Sequence, residues 1–175
     1  MAAAYAVHSW PDTKTLQRYG GKGPYDGSTR LGALSNVGYQ QSLFDVRTMR
    51  SAGLLSPIIW LDVESVPYFP WSSDRVANAA VIKGAAKGYV DAGYSIGAYG
   101  TTAIWQGIVG DLTFGIPEWR AAGQTSEAEA LARCGADRVI QGGESVIAQW
   151  VENGRDRNVT CPGASAQMFR YFTQY

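Results

Sequence analysis

Histidine, cysteine and charged residues are all scarce in this chain of 175 residues. His8 is the single histidine, the two cysteines are Cys134 and Cys161, and charged residues make up 17%, below the ~25% usual for soluble domains. One histidine far from both cysteines does not complete a zinc-binding pattern. A Ser-His-Asp hydrolase is not indicated either, because no G-x-S-x-G motif is present. His8 lies near the carboxyl end of a predicted strand, and we interpret it as a cleft-edge or surface residue without a chemical role.

The chain also lacks net charge and long hydrophobic runs. Lys plus Arg and Asp plus Glu number 15 each, which gives a formal net charge of zero. Nothing therefore resembles the basic surface of a nucleic-acid binder. No segment reaches the ~18 consecutive apolar residues of a membrane span. Residues 1–10 lack the basic region and the long apolar stretch of a signal peptide, so any export signal would lie outside this chain.

The two cysteines leave two interpretations open. They form either a disulfide or two buried free thiols, and their number alone does not separate these states. We favour the disulfide, which would indicate an oxidising compartment.

Short apolar runs alternate with helical patterns along the chain. Residues 14–30 are rich in Gly and turn residues and predict a long loop, and residues 38–53 predict a helix. Alternating strands and crossover helices favour a parallel α/β sheet in one domain, with about six strands. The strands are predicted at residues 2–10, 57–64, 94–100, 116–123 and 145–151, with a short final one from Asp156.

Two carboxylates follow the apolar run of the second predicted strand, in the stretch SPIIWLDVES. Asp62 and Glu64 are two residues apart, so they share one face of the strand at a Cα separation of about 6.8 Å. Two like charges on one face need water, a cation or a substrate beside them. Because parallel α/β sheets place ligands at the carboxyl ends of their strands, the pair predicts a wet cleft there.

Three explanations of this acidic pair compete. Glycoside hydrolysis uses one carboxylic acid to protonate the leaving oxygen and a second negative charge to stabilise the transition state. The neighbouring Tyr68, Phe69 and Trp71 would suit a sugar-binding rim. A Mg²⁺ or Ca²⁺ site also uses carboxylates but needs further oxygen ligands that the sequence does not indicate. In the third explanation the acids only cap a helix or pair with Arg75.

Five short motifs resemble glycoside hydrolase family 25, the lysozyme-like muramidases. They are WLDVE (60–64), GYSIGAYGT (93–101), IPEWRAAG (116–123), AQW (148–150) and DRN (156–158), in the family's order. The chain is most similar to an actinobacterial, secreted branch, the glycoside-hydrolase-like domain of unknown function 1906. That branch commonly has the pattern that appears here as Cys134, Gly142–Gly143, Gln149–Trp150, Asp156 and Cys161, which strengthens the expectation of a disulfide.

The resemblance implies a (β/α) TIM-type barrel that hydrolyses cell-wall polysaccharide such as peptidoglycan. Glu64 would be the general acid, Asp62 would stabilise positive charge or orient an acetamido group, and Asp156 would support them. The residues implied to contact the sugar are Tyr99, Trp119, Trp150, Gln149 and Trp71. For the tryptophans, plain core packing is the alternative. No metal or other cofactor is expected.

The resemblance starts at what looks like the third strand of the family's barrel. We therefore expect an incomplete barrel over residues 1–162, with six strands equivalent to the third to eighth, and a tail over residues 163–175. The family's first strand carries a further cleft Asp that has no counterpart here, so a non-catalytic glycan-binding module or an inactive pseudoenzyme is the alternative function. A homo-oligomer, missing strands or the tail would cover the open sheet edge. The implied location is secreted or cell-wall associated.

Overall fold

The structure is a computed structural model that describes residues 2–173. Its strands are β1 (Ala4–Val7), β2 (Ile58–Asp62), β3 (Ser95–Gly100), β4 (Glu118–Gln124), β5 (Ser145–Glu152) and β6 (Arg155–Thr160). Its α-helices are α1 (Thr13–Tyr19), α2 (Arg30–Ser51), α3 (Arg75–Asp91), α4 (Thr102–Val109) and α5 (Glu127–Ala132). Two 3₁₀-helices cover Ala136–Arg138 and Ser165–Arg170.

The six strands form one sheet in the order of the sequence. β1 to β5 pair in parallel, whereas β6 pairs antiparallel with β5. The sheet curls into a half-barrel within a mixed α/β fold, which is consistent with an incomplete barrel. The predicted number of strands is thus confirmed.

Alternation along β2 separates two cores. Ile59 and Leu61 pack with Ile82 and Tyr89 of α3 on the convex, helix-covered face. Ile58 and Trp60 face the opposite way and pack with residues of β5 and of the C-terminal segment. Both faces of β2 are therefore buried, which explains why its sequence is an unbroken apolar run.

The helices α2 and α3 approach each other very closely. A Cβ on Gly84 of α3 would lie 1.8 Å from the carbonyl oxygen of Ser35 in α2. Only glycine permits this separation, which brings the long helix α2 against α3 and the sheet.

The C-terminal segment, whose conformation the sequence did not indicate, folds into the concave side of the sheet. Met168 and Tyr171 are buried there against Trp60. Thr173 forms an antiparallel bridge with Ala2, just before β1. Within residues 2–173, β1 otherwise pairs only with β2. A homo-oligomer covering the rest of this edge remains a prediction.

Two predictions about local structure are wrong. Residues 14–30 are not one loop, because α1 forms over Thr13–Tyr19 with Asp12 as its N-cap, and α2 already begins at Arg30, capped by Thr29. The last strand is antiparallel because Asn153 and Gly154, with φ of 52° and 71°, make a tight turn between β5 and β6. Asn-Gly is a strong hairpin signal in a sequence.

A disulfide joins Cys134 and Cys161, as the sequence favoured, so the alternative of two free thiols is wrong. The bond links the end of the α5 region to the end of β6 and is compatible with an extracellular location. Among residues 2–173, none of the helices combines the length and apolar character that a membrane crossing requires.

Candidate active-site cleft

A cleft of about 280 Å³ opens at the carboxyl ends of the parallel strands. Three carboxylates line it, those of Asp62, Glu64 and Asp156, and we call it the acidic cleft. Its other lining residues are Tyr5, Val7, Val66, Phe69, Tyr99, Trp119 and Gln149.

The end of β2 supplies the first two carboxylates. Asp62 is the last residue of β2 and is 4% exposed, and Glu64 lies two residues further on and is half-buried. Val63 between them is fully buried in the core on the convex side. This alternation turns both acids into the acidic cleft, as the spacing predicted.

The acids of β2 form no ion pair with arginine. Among the described residues, neither Asp62 nor Glu64 takes part in a salt bridge, and α3 is capped by Asp74. The alternative in which they only cap a helix or pair with Arg75 is therefore wrong. Oδ1 of Asp62 is buried and has no hydrogen-bond partner within residues 2–173.

Both acids bind protons more tightly than ordinary carboxyl groups. Burial, reinforced by the charge of Glu64, raises the pKa of Asp62 to about 7. Burial, reinforced by the charge of Asp156, raises the pKa of Glu64 above its usual range. Asp62 therefore stays partly protonated at neutral pH, where isolated carboxyl groups are ionised.

Two hydrogen bonds hold the backbone carbonyl groups of Asp62 and Glu64. The indole Nε1 of Trp71 donates to the carbonyl oxygen of Glu64 at 3.0 Å. The backbone N–H of His8 donates to the carbonyl oxygen of Asp62 at 3.0 Å. Trp71 and His8 therefore fix the backbone from which the two carboxylates project.

His8 is not a surface or cleft-edge residue, in contrast to the expectation. It is 2% exposed and its ring lies 6.1 Å from that of Tyr89 on the helix-covered side. Burial lowers the pKa of His8 to about 4, so its imidazole is neutral at neutral pH.

Polar groups on the opposite wall come from β3, β5 and β6. The hydroxyl of Tyr99 donates to Oε1 of Gln149 at 2.5 Å, across the intervening β4. Burial and the charge of Glu64 raise the pKa of Tyr99, so its hydroxyl stays protonated. Asp156 is exposed on β6, opposite Val151 of β5.

Trp119 of β4 is the aromatic centre of the concave face. Its ring meets those of Trp60 and Tyr99 edge-to-face, with centroid distances of 5.6 and 5.5 Å. Its Nε1 donates to Oδ1 of Asn158 at 2.9 Å. The hydrogen bond and the packing hold the half-buried indole in one orientation at the cleft wall.

Two of the five residues expected to contact sugar lie outside the lining of the acidic cleft. Trp150 is buried with Ala148 and Cys161 under α5, because it faces the side of β5 opposite to Gln149. Trp71 packs on the convex side and reaches the site only through its bond to the Glu64 backbone. Trp150 is therefore a core residue, which was the alternative interpretation for each tryptophan.

Several residues that line or support the cleft were not among the sequence candidates. Tyr5 and Val7 of β1 face the cleft because they lie beside Trp60 and Asp62 in the parallel register. Asn158 orients Trp119, and it belongs to the DRN motif from which only Asp156 was selected. The alternation of side chains along β1 could have indicated that Tyr5 and Val7 share the face that lines the cleft.

No group of three or more His, Cys, Asp or Glu side chains within residues 2–173 is placed to hold a metal ion. Comparisons with family models, curated proteins and solved structures give no significant match to the chain.

Proposed function

We propose that the protein is a glycoside hydrolase that acts on a cell-wall polysaccharide of the peptidoglycan type. The observation that carries the proposal is the pair Asp62 and Glu64, which is partly protonated near neutral pH and faces an aromatic-walled cleft together with Asp156. Hydrolysis of a glycosidic bond needs one protonated and one ionised carboxyl group at the same place. The resemblance to family 25 muramidases supports the choice of substrate.

Glu64 is assigned as the general acid. It is the more accessible member of the pair, so its carboxyl group can reach the oxygen of the scissile bond. Trp71 fixes the backbone of Glu64 through its indole N–H. Proton donation by a positioned acid accelerates such reactions by about 10²–10⁴-fold.

Asp62 and Asp156 are assigned to electrostatic support. Asp62 lies deeper than Glu64 and is coupled to it, so the two acids share one proton. In the reactive form the proton is on Glu64, and the ionised Asp62 stabilises the oxocarbenium-like transition state. Asp156 raises the pKa of Glu64 from the other wall and so helps to keep the acid protonated.

Tyr99, Trp119 and Gln149 are assigned to substrate binding. The aromatic rings offer apolar surface to a sugar face, and the hydrogen-bonded Tyr99–Gln149 pair offers polar groups to its hydroxyls. The disulfide supports the further proposal that the protein works outside the cell or at the cell wall.

The test is clearing of a peptidoglycan suspension by the wild type and by Glu64→Gln, with Glu127→Gln on the exposed first turn of α5 as the matched control. We expect Glu64→Gln to lose about 10²-fold or more in rate, because its amide cannot donate the catalytic proton. Glu127→Gln should retain wild-type activity.

Sedimentation with insoluble peptidoglycan separates the alternative function. If the wild type and Glu64→Gln both bind the polymer and neither releases soluble fragments, the protein is a glycan-binding module and the hydrolase proposal is wrong. Equal turnover by the wild type and Glu64→Gln would also contradict the assignment of the acid.

A further inference from the structure

A second pocket, of about 370 Å³, lies at the carboxyl ends of β3 and β4 and shares no lining residue with the acidic cleft. Three arginines line it, Arg120, Arg133 and Arg138, together with the start of α4. No carboxylate is among its described lining residues. We call it the arginine pocket.

Arg120 forms the fixed part of the arginine pocket. It is 3% exposed, and its Nε donates to Oε2 of the buried Glu118 at 2.8 Å. Its Nη1 donates to the carbonyl oxygens of Arg133 and Gly135 at 2.8 and 2.6 Å. Nη2 forms no hydrogen bond within residues 2–173, so this rigidly held guanidinium keeps one group free to donate.

Arg133, just after α5, is the arginine of the pocket whose side chain lacks a partner. Its side chain forms no hydrogen bond or ion pair with any residue that the structure describes, although its Nε is buried. A buried N–H of a charged group without an acceptor is unfavourable by itself. A ligand oxygen in the arginine pocket would satisfy this N–H and neutralise the charge.

The start of α4 adds backbone donors to the same pocket. Thr101 caps the helix by accepting from Ile104 N at 3.1 Å, but the N–H groups of Thr102 and Ala103 have no acceptor within residues 2–173. Thr101, Thr102 and Ala103 all line the pocket. Free N–H groups at a helix N-terminus favour negative charge.

We propose that the arginine pocket binds a compact oxyanion, a phosphate or a carboxylate group. Arg133 makes the ion pair, and Nη2 of Arg120 and the first N–H groups of α4 donate further hydrogen bonds. Arg138, which pairs with the exposed Asp137 at 3.1 Å, lies at the rim. Guanidinium groups bind both kinds of oxyanion in a bidentate manner. The proposal does not depend on the activity of the acidic cleft.

The test is calorimetric titration with inorganic phosphate and, separately, with acetate, at constant ionic strength set by chloride. The variants are Arg133→Gln and the matched control Arg47→Gln on the exposed surface of α2. We expect millimolar or tighter binding by the wild type, an affinity about tenfold or more lower for Arg133→Gln, and no change for Arg47→Gln. The anion that binds with the higher affinity shows whether the pocket prefers a phosphate or a carboxylate group.

The Nε–H resonance of Arg133 in ¹⁵N-labelled wild type gives a second measurement that needs no variant. It should shift on addition of the preferred anion at the concentrations at which heat is released. The proposal is wrong if neither anion binds more strongly than chloride, or if Arg133→Gln and Arg47→Gln weaken binding equally.

Discussion

The ring of Phe172 lies 6.3 Å from that of Trp60, although 112 positions separate the two residues in the sequence. Phe172 also meets Trp119 at 6.0 Å, edge-to-face. Trp60 is fully buried, and Trp119, which Phe172 also contacts, lines the acidic cleft. The C-terminal segment is therefore part of the concave core that supports the site.

Replacement of Phe172 by Ala tests this role. Because Phe172 is partly buried against two tryptophans, we expect Phe172→Ala to lower the free energy of unfolding by about 1–3 kcal/mol. Phe169→Ala, in the same segment but 69% exposed, should change it by less than about 0.5 kcal/mol. Urea unfolding followed by tryptophan fluorescence measures both, and equal effects would mean that the segment does not pack on the sheet.

Gly97 of β3 makes room for Trp60. A Cβ at Gly97 would lie 2.4 Å from the ring of the fully buried Trp60. We expect Gly97→Ala to destabilise the fold by about 1–3 kcal/mol, because the indole must move. Gly107→Ala in α4 is the control, since its Cβ would meet nothing within 4 Å. That variant should be stabilised by roughly 0.5–1 kcal/mol through helix propensity. Two variants of equal stability would contradict this packing.

Glu118 is fully buried and holds the loop before β5. Its carboxylate pairs with Arg120 and accepts hydrogen bonds from the backbone N–H groups of Ile140, Gln141 and Gly143. We expect Glu118→Gln to cost about 3–5 kcal/mol, because Arg120 would keep a buried, unpaired charge. Glu152→Gln breaks the half-exposed pair with Arg157 and should cost less than about 1 kcal/mol. Chemical denaturation compares the two, and a similar loss in both would refute the argument.

The order of the strands could be predicted from the sequence because β1, β2, β3 and β5 are short, largely apolar runs between turn signals. The apolar run of β2 predicted the strand. The two acids that follow the run predicted a cleft at its carboxyl end. The helix α1 was missed because its few apolar residues make a weak periodic signal, and its main support is the Asp12 cap. The antiparallel β6 was missed although Asn153-Gly154 is a recognisable turn.

The partners of each site residue were harder to predict. Gln149 and Trp150 are adjacent on one strand, so their side chains lie on opposite faces of the sheet. Only one of the two can therefore line the acidic cleft. Which of the two faces the concave side depends on the curl of the sheet and on α5, which covers Trp150. The bond from Trp119 to Asn158 joins β4 to β6 over 39 positions, and no local pattern indicates it.

The stability of the fold should depend on pH through Asp62. The pKa of Asp62 is about 7 in the folded chain and near its ordinary value of 3.8 in the unfolded chain. Between these values the unfolded state loses a proton that the folded state retains, so rising pH favours unfolding through this group. Its contribution is fully present below about pH 4 and is lost by about pH 7, with an upper limit of about 4 kcal/mol.

Comparison of the wild type with Asp62→Asn isolates this effect. His8 has the opposite dependence, because its lowered pKa makes the fold lose stability as pH falls from 6.5 toward about 4, but it is present in both proteins and cancels in the difference. We expect Asp62→Asn to gain stability relative to the wild type as pH rises from about 4 to about 7, measured by urea unfolding at several pH values. Asp111→Asn, at an exposed position, is the control for the exchange of a carboxyl group for an amide. A difference between Asp62→Asn and the wild type that does not change with pH would mean that Asp62 ionises normally, and the cleft would then hold no proton on this residue at neutral pH.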